Sequence, residues 1–245
     1  MFVRPEARAA LAATLDRRRN SALCEAIDRN AIYATADGTV LSIDSNHVAR
    51  LSDPSTIEGA TLLATIAPAT LAMARGPVAA IAAFVQGGAW TGIFEGIEMV
   101  WLERPELRAV GGEMRCSTEL AMSFESWRDA FTREAFRDGG SPPAVSADQL
   151  FVWTDGATPR AMAGLLPLGP TGARIVTVYT PPAERGRGYA AALTAALAAH
   201  AEGCDVTLDV SVDDPFARRA YERAGFRAIG HNAIYVAARS GTTPA

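Results

Sequence analysis

Arg185-Gly186-Arg187-Gly188-Tyr189-Ala190 brings two arginines and two glycines against the start of an alanine-rich helix. The first turn of a helix presents backbone N–H groups that have no intrahelical partner, and the helix dipole adds positive potential there. Gly186 and Gly188 carry no Cβ, so the backbone can approach a bulky anion closely. Arg185 and Arg187 supply planar cations suited to phosphate oxygens. The chemistry this grouping offers is the binding of a diphosphate.

Spacing separates the cofactors that use such turns. An ATP or GTP phosphate loop ends in Gly-Lys-Ser/Thr, and this chain contains no lysine. A dinucleotide fingerprint needs Gly-x-Gly-x-x-Gly after an early strand, whereas Ala191 stands at the third glycine position and the turn lies late in the chain. What remains is Arg-x-x-Gly-x-Ala, formed by Arg185, Gly188 and Ala190.

The elements around the turn are legible. Arg174–Thr180 reads as an apolar strand stopped by Pro181-Pro182, and the turn opens directly into the alanine-rich helix. Asp205–Val212 alternates like a strand. Asp213-Asp214-Pro215 then signals a helix start, an acidic cap before proline at the first helical position. That helix carries Arg218 and Tyr221 and ends at Gly225, after which Phe226 restarts a strand.

The Arg185–Ala190 turn followed by the helix with Tyr221 and Gly225-Phe226 resembles the GNAT superfamily of acyl-CoA-dependent acetyltransferases. The resemblance is specific from Glu113 to Val236. It implies an α/β (α+β) fold, a mixed and mostly antiparallel sheet flanked by helices, with the cofactor strand and the next strand splayed apart. It implies acetyl-CoA as donor, with pantetheine on the backbone of Val176, Val178 and Thr180 beside Tyr179. The pyrophosphate would lie on the amides from Gly186 to Ala190, with Arg185, Arg187 and Tyr189 around it. Asp214 and Arg218 stand where the superfamily has asparagines that contact the cofactor, and Ala217 where serine is common. Tyr221 takes the place of the tyrosine that protonates the departing thiolate. A phenol of pKa ~10 can serve a thiolate whose conjugate acid has pKa ~8.5, although an aromatic packing role fits the same position. For the base, Glu134, Asp155, Asp209, Asp213 and a water relay all stay open.

The lead-in Val178–Pro182 resembles a subgroup with a degenerate GNAT-like half ahead of a complete one. That implies a degenerate half at 1–105 and a catalytic domain at 106–240. The first half would pair or dimerise, giving a homodimer, or wall the acceptor pocket. Its residues show a hairpin turning at Asp37-Gly38 and helices near Thr56–Ala64 and Ala79–Gln86. A strand is expected over Ile97–Glu103 and a bend at Arg104-Pro105. Arg4–Arg29 reads as helical. In the second half, Phe124–Arg137 reads as a helix with Trp127, Phe131 and Ala135 on one inward face. Strands follow at Leu150–Trp153 and Ala161–Pro167, joined by a turn at Asp155-Gly156.

Composition excludes other classes. A net charge of −4 and a pI near 5.5 argue against a nucleic-acid surface. Cys24, Cys116 and Cys204, with His47, His200 and His231, are too scattered for a metal site. The apolar runs Ala60–Ala74 and Pro77–Val85 are too short for a membrane span, and no secretory signal pattern is visible. The expectation is a cytoplasmic N-acetyltransferase acting on the amine of a small molecule or peptide. The alternative is a non-catalytic acyl-CoA-binding or regulatory protein.

Overall fold

The computed structural model describes residues 32–53, 55–102, 110–136, 141–168 and 171–238, with isolated positions between 11 and 23. The bend at Arg104-Pro105, Cys24 and most of the Arg4–Arg29 segment lie outside the described residues. The chain forms two compact units, one comprising Met1–Ile97 with Gly230–Ala245 and the other Glu98–Ile229. The boundary read from sequence at 105/106 thus compares with one at 97/98, and the first unit also takes back the chain from Gly230.

In the first unit, β1 (Ile32–Ala36) and β2 (Thr39–Ile43) form the hairpin at Asp37-Gly38. Both turn residues adopt positive φ, 45° and 74°, as a two-residue hairpin turn requires. Then β3 (Val48–Leu51) pairs antiparallel with β2. Helix α1 (Ile57–Ala64) crosses to β4 (Met73–Pro77), which runs parallel to β3. Helix α2 (Val78–Val85) follows, then β5 (Trp90–Trp101), which starts seven residues before the Ile97 expected from sequence. Leu41, Leu63, Ala74 and Ile81 make the heart of this unit's core. The segment from Gly230 adds its strand antiparallel to β4, pairing Asn232 with Pro77 and Val236 with Met73.

In the second unit, β6 (Glu113–Cys116), β7 (Leu150–Asp155), β8 (Thr158–Leu168) and β9 (Gly172–Tyr179) form an antiparallel ladder. The Asp155-Gly156 turn falls where expected. Helix α4 (Tyr189–His200) crosses from β9 to β10 (Asp205–Ser211), which lies parallel to β9 as such a crossover demands. Helix α5 (Pro215–Arg223) and β11 (Phe226–Ala237) complete the order. The fold is therefore a mixed, largely antiparallel sheet flanked by helices.

Helix α3 (Glu125–Ala135) is shorter than the expected Phe124–Arg137. Phe124 precedes it as a buried residue, and Trp127 and Phe131 pack beside Val152, Met162 and Val176. Ala135 is exposed, a correction to the expected stripe, because the stripe leaves the sheet by the helix's last turn. Helix α4 is buried on most of its surface; Leu193 and Leu197 are fully enclosed and Ala191, Ala195 and Ala198 let it sit close to the sheet. Each such leucine contributes ~1.5–3 kcal/mol through burial, which fixes the helix start and hence the glycine turn. Among the described residues, no helix is long and apolar enough to cross a membrane, and no cluster of His, Cys, Asp and Glu could hold a metal ion. Cys116 and Cys204 are free thiols.

Candidate functional site

Strands β9 and β10 start as a ladder and then part. Their register pairs are only Gly172 with Asp205, Ala173 with Val206 and Arg174 with Thr207. Both strands continue, to Tyr179 and to Ser211, with no partner in each other. Backbone groups of Val176 and Val178 therefore lie on a stretch whose β10 side is open to another hydrogen-bonding chain, the requirement for strand addition by a ligand.

The opening is reinforced by a bulge. Opposite β9, Met162 pairs with Tyr179 while Gly164 pairs with Val176, so two steps on β8 span three on β9. The extra residue is at Thr177, whose φ is +53°, a left-handed conformation that costs a β-branched residue dearly. Nothing in the sequence marks this threonine; its conformation is imposed by the sheet. The hydroxyls of Thr177, Thr180 and Thr207 are buried with no hydrogen-bond partner among the described residues. Such orphans are uncommon in finished interiors. Three of them, on or just beyond two strands that part, fit a ligand that brings amides and hydroxyls of its own, as pantetheine does.

The turn is built as read. Gly186 and Gly188 have φ of +77° and +90°. Gly188 is the cap residue of α4, which carries no side-chain cap and no acidic residue in its first turn. A Cβ on Gly188 would meet Val110 Cγ2 at 3.1 Å. The first-turn amides of Tyr189 and Ala190 are thus presented without competition from a side-chain acceptor, an arrangement that suits an anion.

The two arginines of the turn make different contacts. Arg185 Nε donates to Thr180 O at 2.9 Å and its Nη2 to Glu134 at 2.6 Å, with the guanidinium 5.8 Å from the Tyr179 ring centre. It ties the turn to β9 and α3. Arg187 is more exposed and pairs with Glu184 at 3.2 Å. Asp214 accepts from Ala217 N at 2.8 Å, the cap that its position before Pro215 predicts. Arg218 pairs with Glu222 at 2.9 Å and lines an open depression of about 860 Å³ with Phe216, Arg219, Arg223 and Arg227. On the helix, Phe216, Arg219 and Arg223 lie opposite Tyr221, and Arg218 lies nearer its side.

Tyr221 is the one buried residue of α5 and packs edge-on against Phe226 at 6.4 Å. Burial, with a smaller contribution from the Asp214 carboxylate, pushes its phenol well above the usual range. The hydroxyl stays protonated at any physiological pH. The four carboxylates considered as bases are mostly committed. Glu134 pairs with Arg185, Asp155 with Arg160 at 3.5 Å, and Asp209 with Arg174. Asp213 is exposed beside the start of α5. His200 ends α4 and packs on Phe151, away from any cluster.

Residues 114–226 match the acetyltransferase (GNAT) family, so the second unit contains a GNAT-family domain. That family typically uses acetyl-CoA as co-substrate. No curated protein sequence matches the chain. Among solved structures, a GCN5-related N-acetyltransferase from Kribbella flavida is 16% identical, covers 91% of this chain and 96% of its own, and has a TM-score of 0.58. A GCN5-related N-acetyltransferase-like protein from Streptococcus suis is 13% identical, covers 95% and 99%, and has a TM-score of 0.53. A GNAT-family acetyltransferase from Colwellia psychrerythraea is 13% identical, covers 97% and 98%, with a TM-score of 0.51. At these identities the shared property is the fold.

Proposed function

We propose that this protein transfers an acetyl group from acetyl-CoA to the amine of a small molecule or peptide. The observation that carries the reading is the parting of β9 from β10 directly ahead of an uncapped, glycine-led helix start. When bound, acetyl-CoA supplies an activated acetyl thioester. Val176, Val178 and Thr180 would hold pantetheine along the open side of β9, and the amides from Gly186 to Ala190 would hold the pyrophosphate. Tyr221 would give a hydrogen bond, and finally a proton, to the departing sulfur. Calorimetric titration tests the reading: micromolar acetyl-CoA binding with no NADH binding is expected, and absence of acetyl-CoA binding would sink it.

Tyr221→Phe has a defined expectation. Passing a proton from a phenol of pKa ~10 to a thiolate of ~8.5 is uphill by ~2 kcal/mol, and burial raises the cost. The hydroxyl therefore works chiefly as a hydrogen-bond donor as charge develops. Turnover should fall about 10²-fold, at the low end for general acids, with acetyl-CoA affinity unchanged. Because the phenol's pKa is raised, Tyr221 remains protonated as pH climbs towards ~10. A kcat/KM profile should show no alkaline loss from this residue below that point. Full turnover by the variant would remove Tyr221 from the chemistry.

The commitment of Glu134, Asp155 and Asp209 to arginines favours a second reading, an acyl-CoA-binding protein without turnover. Retained cofactor binding with no product from an amine panel would select it.

We also read the first half as a degenerate GNAT-like partner. The order of three antiparallel strands, helix, parallel strand, helix, strand occurs twice, as β1 to β5 and as β7 to β11. In the first occurrence the helix start is closed. Thr56 caps α1 by accepting from Gly59 N at 2.9 Å, and Glu58 sits in the first turn. A filled cap and an acidic first turn exclude an anion there, which supports a structural or dimerising part for that half.

A further inference from the structure

The glycine turn contains a carboxylate of its own. Glu184 immediately precedes Arg185 and the glycines, and its side chain is only 19% exposed. A carboxylate at that place opposes a bound diphosphate through like-charge repulsion, the more so away from bulk water. The structure shows how it is managed. Arg160, on β8, donates to Glu184 Oε1 at 2.8 Å. The same guanidinium stands 3.5 Å from Asp155 Oδ2 and 6.0 Å from the ring centre of Tyr189. It thus reaches from the last residue before Arg185 to the first residue of α4, spanning the turn. The other oxygen of Glu184, Oε2, lies 3.2 Å from Arg187 Nη1, in an ion pair whose angles do not make a hydrogen bond. The two arginines differ in exposure: 21% for Arg160 against 55% for Arg187. One is anchored and the other is free to swing.

We infer that Arg160 is a positioning residue for the cofactor turn: it neutralises Glu184 permanently, so that Arg187 can leave Glu184 for the phosphates of the ligand. The inference rests on the acyl-CoA reading above. Glu184 serves as a resting counter-ion for Arg187, and Arg160 keeps the vacated carboxylate from repelling the diphosphate. No such role follows from Arg160's place in a hairpin strand or from the turn's own motif.

Calorimetric titration of the full chain with acetyl-CoA, and with inorganic pyrophosphate as a second probe, tests it. Arg160→Met should weaken acetyl-CoA binding at least about 10-fold, because Glu184 is left under-compensated beside the ligand. Glu184→Gln should bind at least as tightly as the wild type, and Arg160→Met/Glu184→Gln should recover to within about 3-fold of it. Arg160→Lys, which keeps the charge and loses the fork, should fall between. A purely structural pair would lose and regain thermal stability in step with affinity, so the melting temperature of each variant is measured too, and affinity lost in a variant that melts like the wild type marks electrostatic positioning. Unchanged affinity in a folded Arg160→Met, or a double variant as weak as the single, overturns the inference and leaves the acyl-CoA reading standing. Should Arg160→Met fail to fold, Glu184→Gln decides: affinity more than about 10-fold below wild type overturns the inference. No acetyl-CoA binding by the wild type overturns the parent reading instead.

Discussion

Gly188→Ala should abolish most acetyl-CoA binding while leaving the protein folded. Gly188 has φ of +90°, where an L-residue pays roughly 1–2 kcal/mol. The added methyl would also stand 3.1 Å from Val110 Cγ2, so Val110 or the turn must give by a few tenths of an ångström. Helix α4 cannot follow that shift, because Leu193 and Leu197 are fully enclosed. The strain therefore falls on the turn, where amide directions decide whether several donors can converge on one anion. We expect affinity to fall by at least about 30-fold, the equivalent of ~2 kcal/mol. Gly203→Ala is the control. Its φ of +84° is just as unfavourable, and nothing lies within 4 Å of the added methyl. The two variants should lose similar thermal stability, yet only Gly188→Ala should lose the cofactor. Equal, wild-type affinity in both would show that the turn is merely a connector.

What the sequence disclosed and what it hid divide along a physical line. The turn, α4, the Asp214 cap, α5 and Gly225 were all legible, because glycine, proline and capping residues act on their own neighbours. The first-unit hairpin was legible for the same reason. Features made by pairing distant strands were not. Thr177 looks like any strand threonine, and its left-handed bulge exists only because β8 and β9 are out of step. The β4 segment Met73–Pro77 was hidden between two apolar runs. Its Gly76 is there because a Cβ would press within 2.9 Å of Leu51 on β3. The start of β5 went unread because Thr91, Gly92 and Glu95 interrupt any alternation. Arg160 and Glu184 are 24 positions apart, and only the fold shows that they meet. Likewise only the fold shows that Arg185 reaches Glu134 and the Thr180 carbonyl.

Arg174→Met should give the largest loss of stability. Arg174 is 7% exposed on β9, at the last register pair before β10 departs. Its guanidinium pairs with Asp209 of β10 and lies 3.8 Å from Glu98 of β5, itself 4% exposed. Replacing the cation removes one source of compensation from the buried Glu98 and the partly buried Asp209 at once, and breaking a buried pair on one side costs ~3–5 kcal/mol. The midpoint of thermal unfolding should drop on the order of 10 °C. Linkage gives the loss a recognisable pH dependence. Loss of the nearby cation moves the folded-state pKa values of Glu98 and Asp209 upward relative to those in the wild type. The variant then binds more protons when folded, so its deficit should be smallest at acid pH and grow as pH rises through those raised values. A deficit that does not change with pH would mean that the carboxylates find other compensation. Arg174→Met/Asp209→Leu should recover part of the loss, since a buried ion pair can be exchanged for apolar contact more cheaply than it can be halved. The pair also spans β9 and β10 just where their backbone ladder ends, so the single variant should weaken acetyl-CoA binding along with stability. The parting of the two strands is useful only while its closed end stays closed.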